Sequence, residues 1–256
     1  MTAGRIHTNL DASEGVTQMR ASAFAKAIRG GLIVSCYAAS DYNAAFMSKD
    51  AMCALAASVQ KGGAAAIRVN LRHISYVKKA VDIPVIGIEK IYVGDEMRIT
   101  PTIREVEELV SAGADAIGID GTQRSRFDNL TLRDFVAEIK SRFDIPIVAD
   151  ISTREEGLRA AEWGADAVGT TLSGYTPYSS SVGRLGDIPP AEPDYEIVRE
   201  LSKRLELPII AEGRFNSPSK AREALRSGAH AVVVGTAISN PEKVTELFVH
   251  ALKQEG

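Results

Sequence analysis

The side chains best suited to proton chemistry in this sequence are one lysine and two carboxylates placed at matched offsets from a recurring proline. Three segments read DIPVIGIEK (82–90), DIPIVADIS (144–152) and ELPIIAEGR (206–214), and their prolines, Pro84, Pro146 and Pro208, fall at equal intervals. Asp150 and Glu212 each lie four residues after their proline, and Lys90 lies six after its own. If these segments are strands, positions two apart share a face, so all three groups point the same way, with Lys90 about 6.6 Å further along. An ammonium set against two carboxylates in one enclosure can divide acid and base roles, because neighbouring charges and burial pull their pKa values apart. The same groups could instead form an ion pair that plugs the enclosure. Glu89 has the opposite parity and should face away.

A second set of residues suits an anion. Gly213 follows Glu212, and Gly235-Thr236 precede Asn240-Pro241, where Ser239 or Asn240 suits a helix cap and Pro241 the first helical position. Backbone N–H groups at such strand ends and helix starts bind phosphate in many barrels. The plainer reading is that Gly235 makes a turn and Asn240 only caps.

The elements that must hold these groups are legible from an internal repeat. Between the proline segments lie GGAAAIRV (62–69), AGADAIGID (112–120), WGADAVGTT (163–171) and SGAHAVVVGT (227–236), each a Gly-Ala step followed by short apolar residues. With GLIVSC (31–36) they make eight short apolar runs of the kind that form a parallel sheet buried on both faces. Amphipathic stretches of helical length separate them, for example 103–112, 130–143 and 217–227, and Gly63, Gly113, Gly164 and Gly228 read as helix stops. Eight alternating units predict an α/β chain folded as a single (β/α)₈ TIM barrel. The glycine fingerprint of an open dinucleotide-binding sheet is absent.

In this reading residues 1–29 are an N-terminal extension whose short helix, 19–29, closes the barrel bottom, and 30–256 form the catalytic barrel. The connection 175–192, rich in Ser, Gly and Pro, reads as a lid or binding loop. Barrel sites lie at the C-terminal strand ends. The candidates there are Ser35, Tyr37, Arg68, Glu89, Lys90, Asp120, Asp150, Thr170, Thr171, Glu212, Arg214 and Thr236.

Bulk properties narrow the function classes. A length of 256 residues suits one barrel, and a net charge of −3 gives no basic field for nucleic acid or an anionic membrane. Cys36 and Cys53 have neither disulfide-framework nor zinc-site spacing. With no signal-peptide pattern and no apolar run of about 20 residues, a cytoplasmic location is expected.

The segments GLIVSC, AIRV, IGIEK, ADIST, GTTLSGYT (169–176), AEGRFNSP (211–218) and VVVGTAI (232–238), in order over nearly all of 30–254, resemble the N-acetylmannosamine-6-phosphate 2-epimerase family. The resemblance implies interconversion of N-acetylmannosamine 6-phosphate and N-acetylglucosamine 6-phosphate in sialic-acid degradation. It implies Lys90 and Glu212 as the catalytic pair, Arg68 and Asp150 as sugar contacts and Arg214 as a pocket residue, with which Thr170 and Tyr175 are grouped as substrate-binding candidates. Gly213, Gly235 and Thr236 are the implied phosphate contacts. The proton removed lies α to the C1 aldehyde of the open-chain sugar, chemistry that demands neither metal nor redox cofactor, so none is expected. The expected partner is a small sugar phosphate, and a homodimer is the assembly to be tested. Tyr37 stands where the family has glutamine, and Asn240 where it often has arginine. The rival readings are a Schiff-base aldolase using Lys90 as nucleophile, another sugar-phosphate isomerase on the same barrel, and a non-catalytic sugar-phosphate sensor.

Overall fold

The computed structural model describes residues 20–179 and 192–253. A helix over 20–28 (α1) leads into β1 (Leu32–Ser35), followed by α2 (Lys49–Lys61), β2 (Ala66–Asn70), α3 (Leu71–Ala80) and β3 (Val85–Ile88). A hairpin, β4 (Lys90–Val93) and β5 (Glu96–Ile99), then precedes α4 (Ile103–Ser111) and β6 (Ala116–Asp120). The alternation resumes with α5 (Leu132–Arg142), β7 (Ile147–Asp150), α6 (Arg154–Glu162), β8 (Ala167–Gly169) and α7 (Tyr195–Ser202). It ends with β9 (Ile209–Glu212), α8 (Pro218–Arg226), β10 (Ala231–Val234), a single turn α9 (Thr236–Ser239) and α10 (Pro241–Lys253).

Eight strands close in the order β1-β10-β9-β8-β7-β6-β3-β2, every pair parallel. The chain is a (β/α)₈ barrel, and its eight strands are the eight apolar runs of the sequence. Gly63, Gly113, Gly164 and Gly228 all adopt left-handed backbone, with φ from 93° to 102°. That conformation ends a helix without the steric penalty a Cβ would bring. The hairpin was not foreseen, since it lies outside the repeat and two of its apolar residues, Tyr92 and Val93, are largely exposed. Most of the connection read as a lid or binding loop, residues 180–191, lies outside the described residues, as do 1–19 of the extension.

Strand alternation divides the core in two. One face packs Val34, Ile67, Val85, Ile117, Ile147, Val168, Ile209 and Val232 against the helices. The other fills the lumen with Ile33, Ala66, Ile86, Ala116, Val148, Ala167, Ile210 and Ala231, to which α1 adds Phe24 and Ile28. Two residues further along the strands the lumen becomes polar: Arg68 follows Ala66, Asp150 follows Val148 and Glu212 follows Ile210. The strands flanking β7 carry glycine at this level. A Cβ at Gly118 would lie 2.7 Å from Ile88 Cγ2 and 3.2 Å from Asp150 Oδ2, and one at Gly169 would lie 2.8 Å from Asp150 Oδ1. These glycines leave the hollow that Asp150 occupies.

Gly118→Ala is therefore predicted to overpack the lumen and to lower stability by about 1–3 kcal/mol, measured as a reduced urea midpoint at unchanged slope. Parent-like stability would mean that the hollow closes without strain.

Candidate active site at the mouth of the barrel

Arg68 spans the lumen and binds both carboxylates. Its Nη1 and Nη2 donate to Asp150 Oδ1 and Oδ2 at 2.9 and 2.5 Å, and Nη1 donates also to Glu212 Oε2 at 3.1 Å. Arg68 is 2% exposed and Asp150 fully buried, whereas the Glu212 side chain retains 16% exposure at the inner edge of the mouth. Charge-assisted fork geometry of this kind offsets much of the desolvation that burial imposes. Asp150 takes both arms of the fork. Glu212 is held above its ordinary carboxylate range by burial, and the Asp150 charge acts in the same direction against Arg68.

The Thr171 hydroxyl joins the two acids, 2.5 Å from Asp150 Oδ1 and 3.0 Å from Glu212 Oε2. A hydroxyl has one hydrogen to give and can accept in return. With Asp150 ionised and Glu212 protonated, both contacts become hydrogen bonds, running from Glu212 to Thr171 to Asp150. The geometry thus agrees with a Glu212 that carries a proton readily.

Lys90 opens the hairpin one residue beyond the strand-end Glu89. Its Nζ lies 4.1 Å from the centroid of the Tyr37 ring. Burial first, and then the Arg68 charge, lower its pKa to about 8, against the pull of Glu212, Asp150 and Asp41. At pH 7 about a tenth of such a lysine is neutral, compared with well under a thousandth of an ordinary one. Glu89 points away, as its parity requires, and its Oε2 accepts from Leu71 N at the start of α3, 3.1 Å away.

The other candidates take varied places. Thr170 is buried, its hydroxyl donating to Glu212 O and accepting from Glu212 N, so it braces the β9 backbone while Thr171 faces the acids. Arg214, itself at φ 64°, donates from Nη1 to Ser173 O and from Nε to Glu192 O, and its guanidinium lies 5.5 Å from the Tyr175 ring. It thus ties Tyr175 to the end of β9. Gly213 has φ 113° just beyond β9. Gly235 precedes the α9 turn, where the Thr236 and Tyr42 hydroxyl oxygens are 2.7 Å apart. Asn240 is buried and its Oδ1 accepts from Lys243 N at 3.1 Å, so it caps α10. Asp120 faces the lumen from β6, but its carboxylate is taken by Thr122 and Arg124. From the sequence, Thr171 stands only as a strand-end candidate, Tyr37 as a strand-end candidate and a departure from the family pattern, and Tyr42 is passed over. The adjacency of Thr171 to Thr170 was a signal for one of them facing in.

Fold and site together define a (β/α)₈ barrel whose C-terminal mouth gathers Arg68, Lys90, Asp150 and Glu212. The family profile described as "Putative N-acetylmannosamine-6-phosphate epimerase" matches residues 52–254. A relative from Cutibacterium acnes named "Putative N-acetylmannosamine-6-phosphate 2-epimerase" is 44% identical over 88% of this chain and 94% of its own. A relative of the same name from Caldanaerobacter subterraneus subsp. tengcongensis is also 44% identical, over 89% of this chain and 93% of its own. The solved N-acetylmannosamine-6-phosphate 2-epimerase of Clostridium perfringens superposes with a TM-score of 0.80 at 36% identity, covering 98% of this chain and all of that one. The chain belongs to the N-acetylmannosamine-6-phosphate epimerase family.

Arg68→Met is predicted to destabilise the fold by about 3–5 kcal/mol, because it strands Asp150 in the lumen without a counter-charge. Adding Asp150→Asn should recover part of the loss, as read by urea unfolding. Equal stability of the single variant and the parent would show that the ion pair is dispensable.

Proposed function

We propose that this enzyme interconverts N-acetylmannosamine 6-phosphate and N-acetylglucosamine 6-phosphate by removing and returning the proton at C2. The observation that carries this reading is the Lys90–Glu212 pair, in which burial moves both groups toward their neutral forms. In the open-chain sugar, neutral Lys90 takes the C2 proton, the C2–H electrons form the C1–C2 double bond of an enol, and Glu212 supplies a proton to the carbonyl oxygen. Once the enol presents its other face, the Lys90 ammonium gives its proton back to C2 and the enol hydroxyl returns its proton to Glu212, which yields the epimer and restores both groups. Arg68 and Asp150 hold Glu212 in place and face the sugar, and Thr171 links the acids. The 6-phosphate lies at Gly213, Gly235 and Thr236, with Arg214 as the adjoining cation. This assignment is supported by the open backbone at the ends of neighbouring strands β9 and β10, and Asn240, used as a cap, leaves it without help. The enzyme works in the cytoplasm, a reading supported by two free cysteines and, among the described residues, the absence of a helix long and apolar enough to cross a membrane.

With N-acetylmannosamine 6-phosphate in D₂O, the parent should incorporate deuterium at C2, followed by NMR, whereas Lys90→Met should fold normally and lose exchange by at least about a hundredfold. The unphosphorylated sugar should turn over poorly because its charge-assisted contacts are missing. Parent-rate exchange in folded Lys90→Met would transfer the base role to Glu212, and an adduct trapped on Lys90 by borohydride would favour the aldolase chemistry.

The same reading extends to assembly as a homodimer. Helix α10 packs chiefly against α9, has no buried residue, and exposes Phe248 by 68% and Leu252 by 79%. A second copy of this chain is the occupant proposed for that face. Light scattering should give a dimer mass for the parent and a monomer mass for Phe248→Asp/Leu252→Asp, and a monomeric parent at all concentrations would refute the assignment.

A further inference from the structure

We infer that Tyr37 is a positioning residue for Lys90, its ring face forming the seat on which the ammonium rests between turnovers. The ring is itself fixed from several sides. It packs on the buried cluster of Ile88, Ile99 and Leu172 beneath the mouth. Its phenol lies near that of Tyr92, on the hairpin that carries Lys90, and its ring lies 6.1 Å from that of Tyr42. The ammonium, 4.1 Å from the ring centroid, is within the roughly 6 Å reach of a cation–π contact.

This attraction acts on the charged form and vanishes when Lys90 loses its proton. The seat therefore holds the resting ammonium to one side of the mouth and releases the neutral amine. The other groups acting on Lys90 are Arg68 from β2, Asp150 from β7, Glu212 from β9 and Asp41 from the loop after β1. Arg68 and burial favour the neutral amine, while the three carboxylates and the ring favour the cation. Removing the ring tips this balance toward the neutral form.

The role in turnover rests on Lys90 exchanging the C2 proton, but the seat can be tested without turnover. Pulse acetylation with acetic anhydride, with Lys90 followed by peptide mass spectrometry across pH, reports its titration directly. The parent midpoint should lie near 8. Tyr37→Phe, which keeps the ring, should leave it there, and Tyr37→Leu should lower it by about half to one unit. Tyr37→Met replaces the leucine variant if that one fails to fold, as judged by circular dichroism. Coincident midpoints for the parent and the ring-less variant would overturn the inference. So would equal shifts in Tyr37→Phe and Tyr37→Leu, which would assign the effect to the phenol hydroxyl and not to the ring. Failure of the parent to exchange C2 deuterium would refute the epimerase reading and leave the titration result standing.

Discussion

The fork by which Arg68 grips Asp150 and reaches Glu212 is the interaction on which the site depends. A guanidinium this deeply buried is tolerable only beside a permanent negative charge, and Asp150, held by both arms, supplies it. Two neighbouring groups share its buried surroundings. Glu212 is pushed toward its protonated form first by burial, with the Asp150 charge acting in the same direction against Arg68. Lys90 is pushed toward its neutral form first by burial and then by the Arg68 charge. Burial around one structural ion pair thereby moves a carboxyl group and an amine in opposite senses, each toward its neutral form.

Much of this was legible in the sequence because strands have a period of two. The matched offsets of Asp150 and Glu212 from Pro146 and Pro208 placed both in the lumen, and the same count brought Lys90 above them and turned Glu89 away. The Gly-Ala steps likewise marked where helices stop and strands begin. What stayed hidden had physical causes. The hairpin β4–β5 is an insertion that shares no pattern with the repeat. Thr170 and Thr171 sit where a three-residue strand gives way to turns, so alternation no longer says which hydroxyl meets Glu212 and which braces its backbone. The Tyr37 ring comes over Lys90 from a segment more than fifty residues earlier, and only closure of the barrel brings them together.

The ends of β9 and β10 follow a different plan from the Arg68 cluster. They present backbone at Gly213 and Gly235 and the paired hydroxyls of Tyr42 and Thr236, with the Arg214 guanidinium beside the Tyr175 ring. Arg214 is already committed to the carbonyls of Ser173 and Glu192, so the cation is oriented in advance. Pre-orientation of this kind reduces the ordering cost of binding.

The hollow around Asp150 has a consequence for how this barrel can vary or be redesigned. Ile88, Gly118, Asp150 and Gly169 share one small allotment of lumen volume, drawn from four different strands or strand ends. A side chain gained at position 118 or 169 must be matched by atoms lost at 88 or 150. Position 150 in turn cannot lose its charge while Arg68 keeps its own. Mutational libraries that sample these sites singly will therefore return mostly failures, and functional alternatives will be found only where several of them change together.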